Sequence, residues 1–112
     1  MTLLWYAFLV YAALVVALTY GPFREVYWLP MARLLERIGM AAITIGRFCF
    51  ARERAYLPLG EQARKHERCH HWQWMVLFVL FPPVYLILLK IYGYDKHPLE
   101  QDARRAAGQP LR

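Results

Sequence analysis

No charged side chain stands before Arg24, so the apolar run Leu3 to Tyr20 has no lysine or arginine ahead of it. That absence argues against a secretory signal, which needs a positive leading region, and Tyr20-Gly21-Pro22 is a poor cleavage context. The run approaches the roughly 20 apolar residues of a membrane-crossing helix. It therefore reads as an uncleaved anchor over residues 1–22, closed by Gly21-Pro22. Trp5, Tyr6 and Tyr20 suit interfacial positions, and Tyr11 suits a helix contact. Cysteine is scarce, with Cys49 and Cys69 alone, and no disulfide is expected between them. There is no internal repeat and no low-complexity segment, which leaves at most one domain in 112 residues.

What the chain has in excess is apolar surface. Hydrophobic residues make up 59% of it, against a usual share of roughly 45–50%. The basic residues all follow the anchor, beginning with Arg24, Arg33, Arg37 and Arg47. The positive-inside tendency then predicts a single-pass membrane protein, N-terminus outside, with residues 23–112 on the cytoplasmic face. Both cysteines would stay reduced there. The net charge of +6 is scattered, densest between Arg47 and Arg68. A nucleic-acid surface would gather such charge into a patch with exposed aromatics. Contact with anionic lipid headgroups is the simpler expectation for so apolar a chain.

Glycine and proline are both missing from Glu61 to Leu80, after the breaker cluster Pro58-Leu59-Gly60 and before Pro82-Pro83. That stretch is predicted to be a helix. It carries His66-Glu67-Arg68-Cys69-His70, an H-E-x-x-H pattern. Histidines at this spacing lie one above the other on a helix face, so both imidazoles can reach one zinc ion. Glu67, beside the first ligand, is placed to take a proton from an attacking water. A third ligand is available downstream: Glu100 and Asp102 follow the turn at His97-Pro98, on what reads as a short helix from Leu99. His71 points about 100° away from His70 and is expected to face a neighbour rather than the metal. His97 reads as a helix-entry residue. Gln73, one turn past His70, reads as a brace.

The combination His66-Glu67-x-x-His70-x-x-Gln73, an apolar stretch, then Pro98-Leu99-Glu100-Gln101-Asp102-Ala103-Arg104 resembles a group of small bacterial HExxH proteins. These carry H-E-x-x-H-x-x-Q followed by N-P-F-E-x-E-A-R, and they look like relatives of the gluzincin zinc metallopeptidases. The resemblance covers roughly residues 40–107. His97 stands for the usual Asn, Leu99 for Phe, and Asp102 where the second acid is usually Glu. The resemblance implies Zn²⁺ held by His66, His70 and Glu100 (preferred over Asp102), with Glu67 as general base. It also implies a peptide or protein substrate, and it matches Ala42-Ile43-Thr44-Ile45-Gly46-Arg47 to the strand that precedes the active helix.

Met40 to Leu57 is rich in strand formers and reads as a short strand or hairpin. In the gluzincins that the chain resembles, a sheet edge beside the active helix binds substrate backbone as an added strand; if this stretch is that edge, the resemblance implies a ledge for a peptide backbone. From Met31, after Pro30, Leu34, Leu35 and Ile38 recur at helical spacing and mark an amphipathic helix. Trp72 to Tyr92 has one charge, Lys90, and is long enough to cross a membrane. A crossing would put His66 and Glu100 on opposite faces. The stretch is therefore expected to bend at Pro82-Pro83 into two arms, Trp72–Phe81 and Val84–Tyr92, as a re-entrant or interfacial helical hairpin.

The expected fold is α+β and mostly helical: anchor, short strand or hairpin, HExxH helix, helical hairpin and short C-terminal helix. The expected function is that of a membrane-anchored zinc metallopeptidase. The alternative is a non-catalytic accessory subunit of a larger membrane complex, burying Trp5, Trp28, Trp72 and Trp74 against partners.

Overall fold

The computed structural model describes residues 2–111. Among the described residues are five α-helices and a small mixed sheet: α1 Thr2–Thr19, β1 Arg24–Val26, α2 Leu29–Ile38, β2 Ala42–Ile45, β3 Phe48–Ala51, α3 Glu61–Leu77, α4 Phe81–Tyr92 and α5 Pro98–Ala106. The fold is mostly helical with a minor strand component, as the sequence predicts.

The sheet order is β1-β3-β2, so β2 is an edge strand. β2 and β3 form an antiparallel hairpin, Ala42 opposite Ala51 and Ile45 opposite Phe48. Its two-residue turn is Gly46-Arg47, with Gly46 at φ 63°, a region glycine enters without steric cost. The turn lies directly under the end of α1, where the Arg47 N–H donates to the Leu18 carbonyl at 2.6 Å. A Cβ on Gly46 would sit 2.2 Å from that same carbonyl oxygen.

β1 pairs parallel to β3 and was not foreseen. Glu25 accounts for its position. Its carboxylate accepts the Leu59 N–H at 2.5 Å and the Arg64 Nε–H at 3.0 Å, tying β1 to the start of α3. α2 begins at Leu29, with Pro30 in its first turn. There a missing N–H leaves no helical bond unmade, so Pro30 starts this helix instead of interrupting the segment.

Two helical stretches are long and apolar enough to cross a membrane, Thr2–Thr19 and Glu61–Tyr92. α1 is held along its C-terminal half, from Tyr11 onward, with Val15 and Thr19 its buried residues. The Leu18 carbonyl accepts from Arg47, and the Thr19 carbonyl accepts from His71 Nε2 at 2.8 Å. Carbonyls that a helix end leaves unpaired are thus taken up by the sheet and by α3.

The second stretch doubles back. The bend expected at Pro82-Pro83 falls earlier, in a 3₁₀ turn over Phe78–Leu80. Phe78, at φ 58° and ψ −127°, leaves the α-helical region and breaks the i to i−4 ladder there. The two prolines occupy the first turn of α4 instead. α4 then returns along α3. The Trp74 and Phe81 rings stack at 4.4 Å, and Tyr85 reaches the level of His70 through Glu100, which both contact. The turn is satisfied from α1: Tyr11 Oη donates to the Val79 carbonyl at 2.7 Å, and Tyr20 Oη to that of Met75 at 3.1 Å. The core at this junction is Val15, Trp74 and Phe81.

Candidate metal centre

α3 presents His66 and His70 one turn apart on the face that meets α5, and α5 brings Glu100 between them. Glu100 Oε1 lies 3.2 Å from His66 Nε2 and 3.1 Å from His70 Nε2. The three ligand atoms fall within 4.8 Å of one another, and the group can hold a metal ion. His70 and Glu100 are buried, and His66 is half-buried.

The other ring nitrogens fix the tautomers. His66 Nδ1 faces Gln109 Oε1 at 2.7 Å, and His70 Nδ1 faces Gln73 Oε1 at 2.8 Å. The Gln73 orientation is set independently, because its Nε2 donates to the Leu99 carbonyl at 2.9 Å and to Asp102 Oδ2 at 3.3 Å. An amide oxygen accepts, so with Gln73 oriented in this way His70 Nδ1 carries the proton, and His66 Nδ1 does so with Gln109 Oε1 turned toward it. In the neutral rings both Nε2 atoms are then bare lone pairs, and both point at a carboxylate oxygen, another acceptor. A neutral pair of rings would leave three acceptors facing one another, a clash that either a bound cation or a proton on an imidazole relieves; burial lowers the His70 pKa, but the hydrogen bond and charge of Glu100 outweigh burial and raise it. Two imidazoles and a carboxylate, with the rings backed by amides, form a group that could hold a metal ion.

The remaining oxygen of Glu100 accepts from Tyr85 Oη at 2.7 Å. Burial alone would raise the Glu100 pKa, but the hydrogen bonds from His66, His70 and Tyr85 and the charge of His70 outweigh it. The carboxyl is held well below its ordinary value. It therefore stays ionised although buried.

Glu67 lies beside the group without joining it. Its Oε2 accepts a 2.6 Å hydrogen bond from Thr44 Oγ1 on β2. The side chain borders an open groove of about 1150 Å³, which His66 and Tyr94 also line, and a tighter cavity of about 350 Å³, which His70 and Glu100 also line.

Asp102 lies outside the three-residue group, turned toward Gln73 and within 3.7 Å of Cys69 Sγ. Gln73 is a brace. His71 faces α1 and the Phe23 ring. His97 caps α5: its Nδ1 accepts the Leu99 N–H at 3.1 Å, and its Nε2 is 2.8 Å from the Tyr85 carbonyl. With both nitrogens engaged, it has no donor left for substrate charge.

Tyr85, Thr44 and Gln109 were not singled out as site residues from the sequence. Tyr85 sits inside an apolar run that gives it no distinguishing signal. Gln109 lies beyond the motif, after α5 has ended. Thr44 was noted only as a strand former.

No protein-family model, curated protein or solved structure matches this chain.

Proposed function

We propose that the protein is a membrane-anchored zinc-dependent peptidase. The observation that carries this reading is the convergence of His66 Nε2, His70 Nε2 and Glu100 Oε1 with both histidine Nδ1 atoms pinned by amides. When bound there, zinc supplies Lewis acidity, which lowers the pKa of water and polarises a carbonyl. Glu67 accepts the proton of the attacking water and passes it to the leaving amine. Thr44 holds the Glu67 carboxylate in place for that work. Tyr85 and Gln73 keep the ligands in register.

A peptide substrate is favoured by β2. The Arg52 N–H donates to the Ala41 carbonyl, so residues 41, 43 and 45 aim their backbone groups at β3. The alternate residues Ala42 and Thr44 aim theirs at the open edge. The Thr44 carbonyl is taken by Trp74 Nε1 at 3.2 Å. Ala42, half-buried at the start of that edge, keeps its N–H and C=O for an added strand, whereas Thr44 is buried.

α1 is the membrane anchor in this reading, with Leu3, Leu4, Trp5 and Val10 bare along its first half. The α3–α4 hairpin is re-entrant. Its tip meets α1 at Tyr11, about 13 Å along the helix from Tyr20, so it enters only partway. The exposed Leu29, Leu34 and Ile38 of α2 lie at the interface. In this reading, the positive-inside tendency favours residues 23–112 on the cytoplasmic face.

A non-catalytic subunit of a larger complex is the second reading, drawn from the exposure of Trp28 and Trp72, at 55% and 61%.

Zinc-loaded protein in liposomes should cleave peptides, and Glu67→Gln should not. Single cysteines at Gln62 and Arg105, with Cys49 and Cys69 replaced, should both be labelled from the cytoplasmic side by an impermeant reagent. Cleavage by neither form would favour the subunit. Labelling from opposite faces would remove the metal group altogether.

A further inference from the structure

Arg47 lies at the foot of α1, in the turn whose backbone N–H donates to the Leu18 carbonyl. Its side chain is clamped. The Cζ atom lies 4.2 Å from the centre of the Phe48 ring, and a Cβ added to Gly21 would sit 2.9 Å from both Cδ and Nε. The clamped guanidinium is poorly satisfied. Nε is buried with no hydrogen-bond partner, and Nη1 reaches the Pro22 carbonyl only at 3.4 Å. Among the described residues no carboxylate pairs with it. Arg24 is the second cation at this place. Its N–H donates to the Arg47 carbonyl at 2.9 Å, and it stands opposite Phe48 in the pairing of β1 with β3. Paired residues share a sheet face, so the Arg24 side chain leaves on the face that carries the Phe48 ring and, against it, the Arg47 guanidinium. The adjacent Glu25 is turned to the other face, where Leu59 and Arg64 engage it. Arg24 is exposed and, among the described residues, also has no carboxylate partner.

We propose that Arg24 and Arg47 together hold the phosphate of an anionic phospholipid headgroup at the foot of α1. The proposal rests on the reading of α1 as a membrane anchor and is independent of peptidase chemistry. The 18 residues of α1 rise about 27 Å, close to the roughly 30 Å of a bilayer's hydrocarbon core. The helix end at Thr19 then meets the boundary of that core, and Gly21 to Arg24 and the Gly46-Arg47 turn fall among the headgroups. A guanidinium offers its N–H groups as a planar fork that matches phosphate oxygens. One already fixed between Phe48 and Gly21 loses little freedom when it binds. Two cations without counter-ions favour a headgroup of net negative charge. In a zwitterionic headgroup the attached ammonium is repelled by the second guanidinium. The occupant is a lipid because the bilayer itself presents headgroups at this height. Its acyl chains have α1 to lie along, where Val16 and Tyr20 are exposed just above the turn.

The unpartnered Nε–H of Arg47 provides a readout that needs neither metal nor turnover. Its NMR resonance is followed in uncharged maltoside micelles as dihexanoyl phosphatidylglycerol, dihexanoyl phosphatidylcholine or inorganic phosphate is added. Phosphatidylglycerol should shift the resonance and saturate at a concentration roughly 10-fold or more below that of phosphatidylcholine. Inorganic phosphate at the same concentration should leave it unmoved. Arg24→Gln should raise the half-saturating concentration of phosphatidylglycerol about 5-fold, the contribution of one basic residue at a membrane surface. Replacing Arg33 and Arg37 of α2 together by Gln removes more charge from another exposed place and should leave the titration as it is. The Trp74 indole N–H, bonded to the Thr44 carbonyl, should keep its resonance in both variants, which shows that they are folded. An unmoved Arg47 resonance with phosphatidylglycerol, equal saturation by phosphatidylcholine, an equal shift with inorganic phosphate, or native binding in Arg24→Gln would overturn the proposal. Extraction of liposomes with alkaline carbonate tests the anchor separately. Selective lipid binding by a chain that carbonate strips from the liposomes would leave the headgroup site standing and remove the anchor. A chain that stays in the membrane without that selectivity would do the reverse.

Discussion

Thr44 Oγ1 donates to Glu67 Oε2 at 2.6 Å, joining the sheet edge to the residue beside the first histidine. In the proposed mechanism, the strand that would offer backbone to a peptide thus also orients the base. Glu67→Gln keeps shape but cannot accept a proton. It should bind zinc as the native protein does and lose about 10²- to 10⁴-fold in turnover. Thr44→Val removes the hydroxyl alone and should lower kcat by roughly 10-fold, in line with one hydrogen bond to a charged group. Thr44→Ser should restore it. Full activity in Thr44→Val would remove Thr44 from its positioning role.

The two glutamines behind the histidines give a second expectation. Gln73→Ala and Gln109→Ala leave all three ligands intact but free the Nδ1 atoms. Each should weaken zinc affinity by about 10- to 100-fold, read by competition with a chelating dye. His70→Ala should abolish tight binding. Native affinity in both glutamine variants would mean that the rings are oriented by something else.

Gly46 faces the Leu18 carbonyl at a distance that admits no Cβ, and its φ of 63° is one that alanine rarely adopts. Gly46→Ala should destabilise the fold by at least about 1–3 kcal/mol, measured by denaturant unfolding in micelles. Gly39 also has a positive φ, but no atom lies within 4 Å of its added Cβ. Gly39→Ala should therefore be the milder change.

Cys49 is fully buried on β3. Burial, with a smaller contribution from the charge of Glu67, pushes its thiol up to about 12. The thiolate is the reactive form, so raising the pH to 8.5 should not open Cys49 to alkylation in the folded protein. Mass spectrometry should find it modified only once denaturant is added. Rapid modification under native conditions would mean that the β2–β3 hairpin opens.

Much of the centre is legible in the residues themselves. His66 and His70 need only a helix to share a face, and the missing glycine and proline supply one. The downstream acid needs a return of the chain, and the motif predicted a return without fixing where it turns. The prolines suggested residues 82–83. The break lies at Phe78 because proline is at home in a first helical turn, while the bend itself is made where Tyr11 and Tyr20 can reach carbonyls of the turn region. Those bonds run between residues 68 and 55 positions apart, beyond any local signal. β1 was missed for a related reason. Three residues, Arg24-Glu25-Val26, show no period, and their extended form comes from pairing with β3 and from the bonds of Glu25 to Leu59 and Arg64.

The end of α1 is welded to the structure beneath it, through Leu18 to the hairpin turn and through Thr19 to His71. His71 is the neighbour of His70, and the hairpin turn is continuous with β2. A tilt of the anchor is therefore passed to the metal centre and to the ledge together, with no swivel between them. If α1 crosses a bilayer, as proposed, it is a fixed mast: it sets the height of the His66–His70–Glu100 group above the lipid and the direction in which β2 faces.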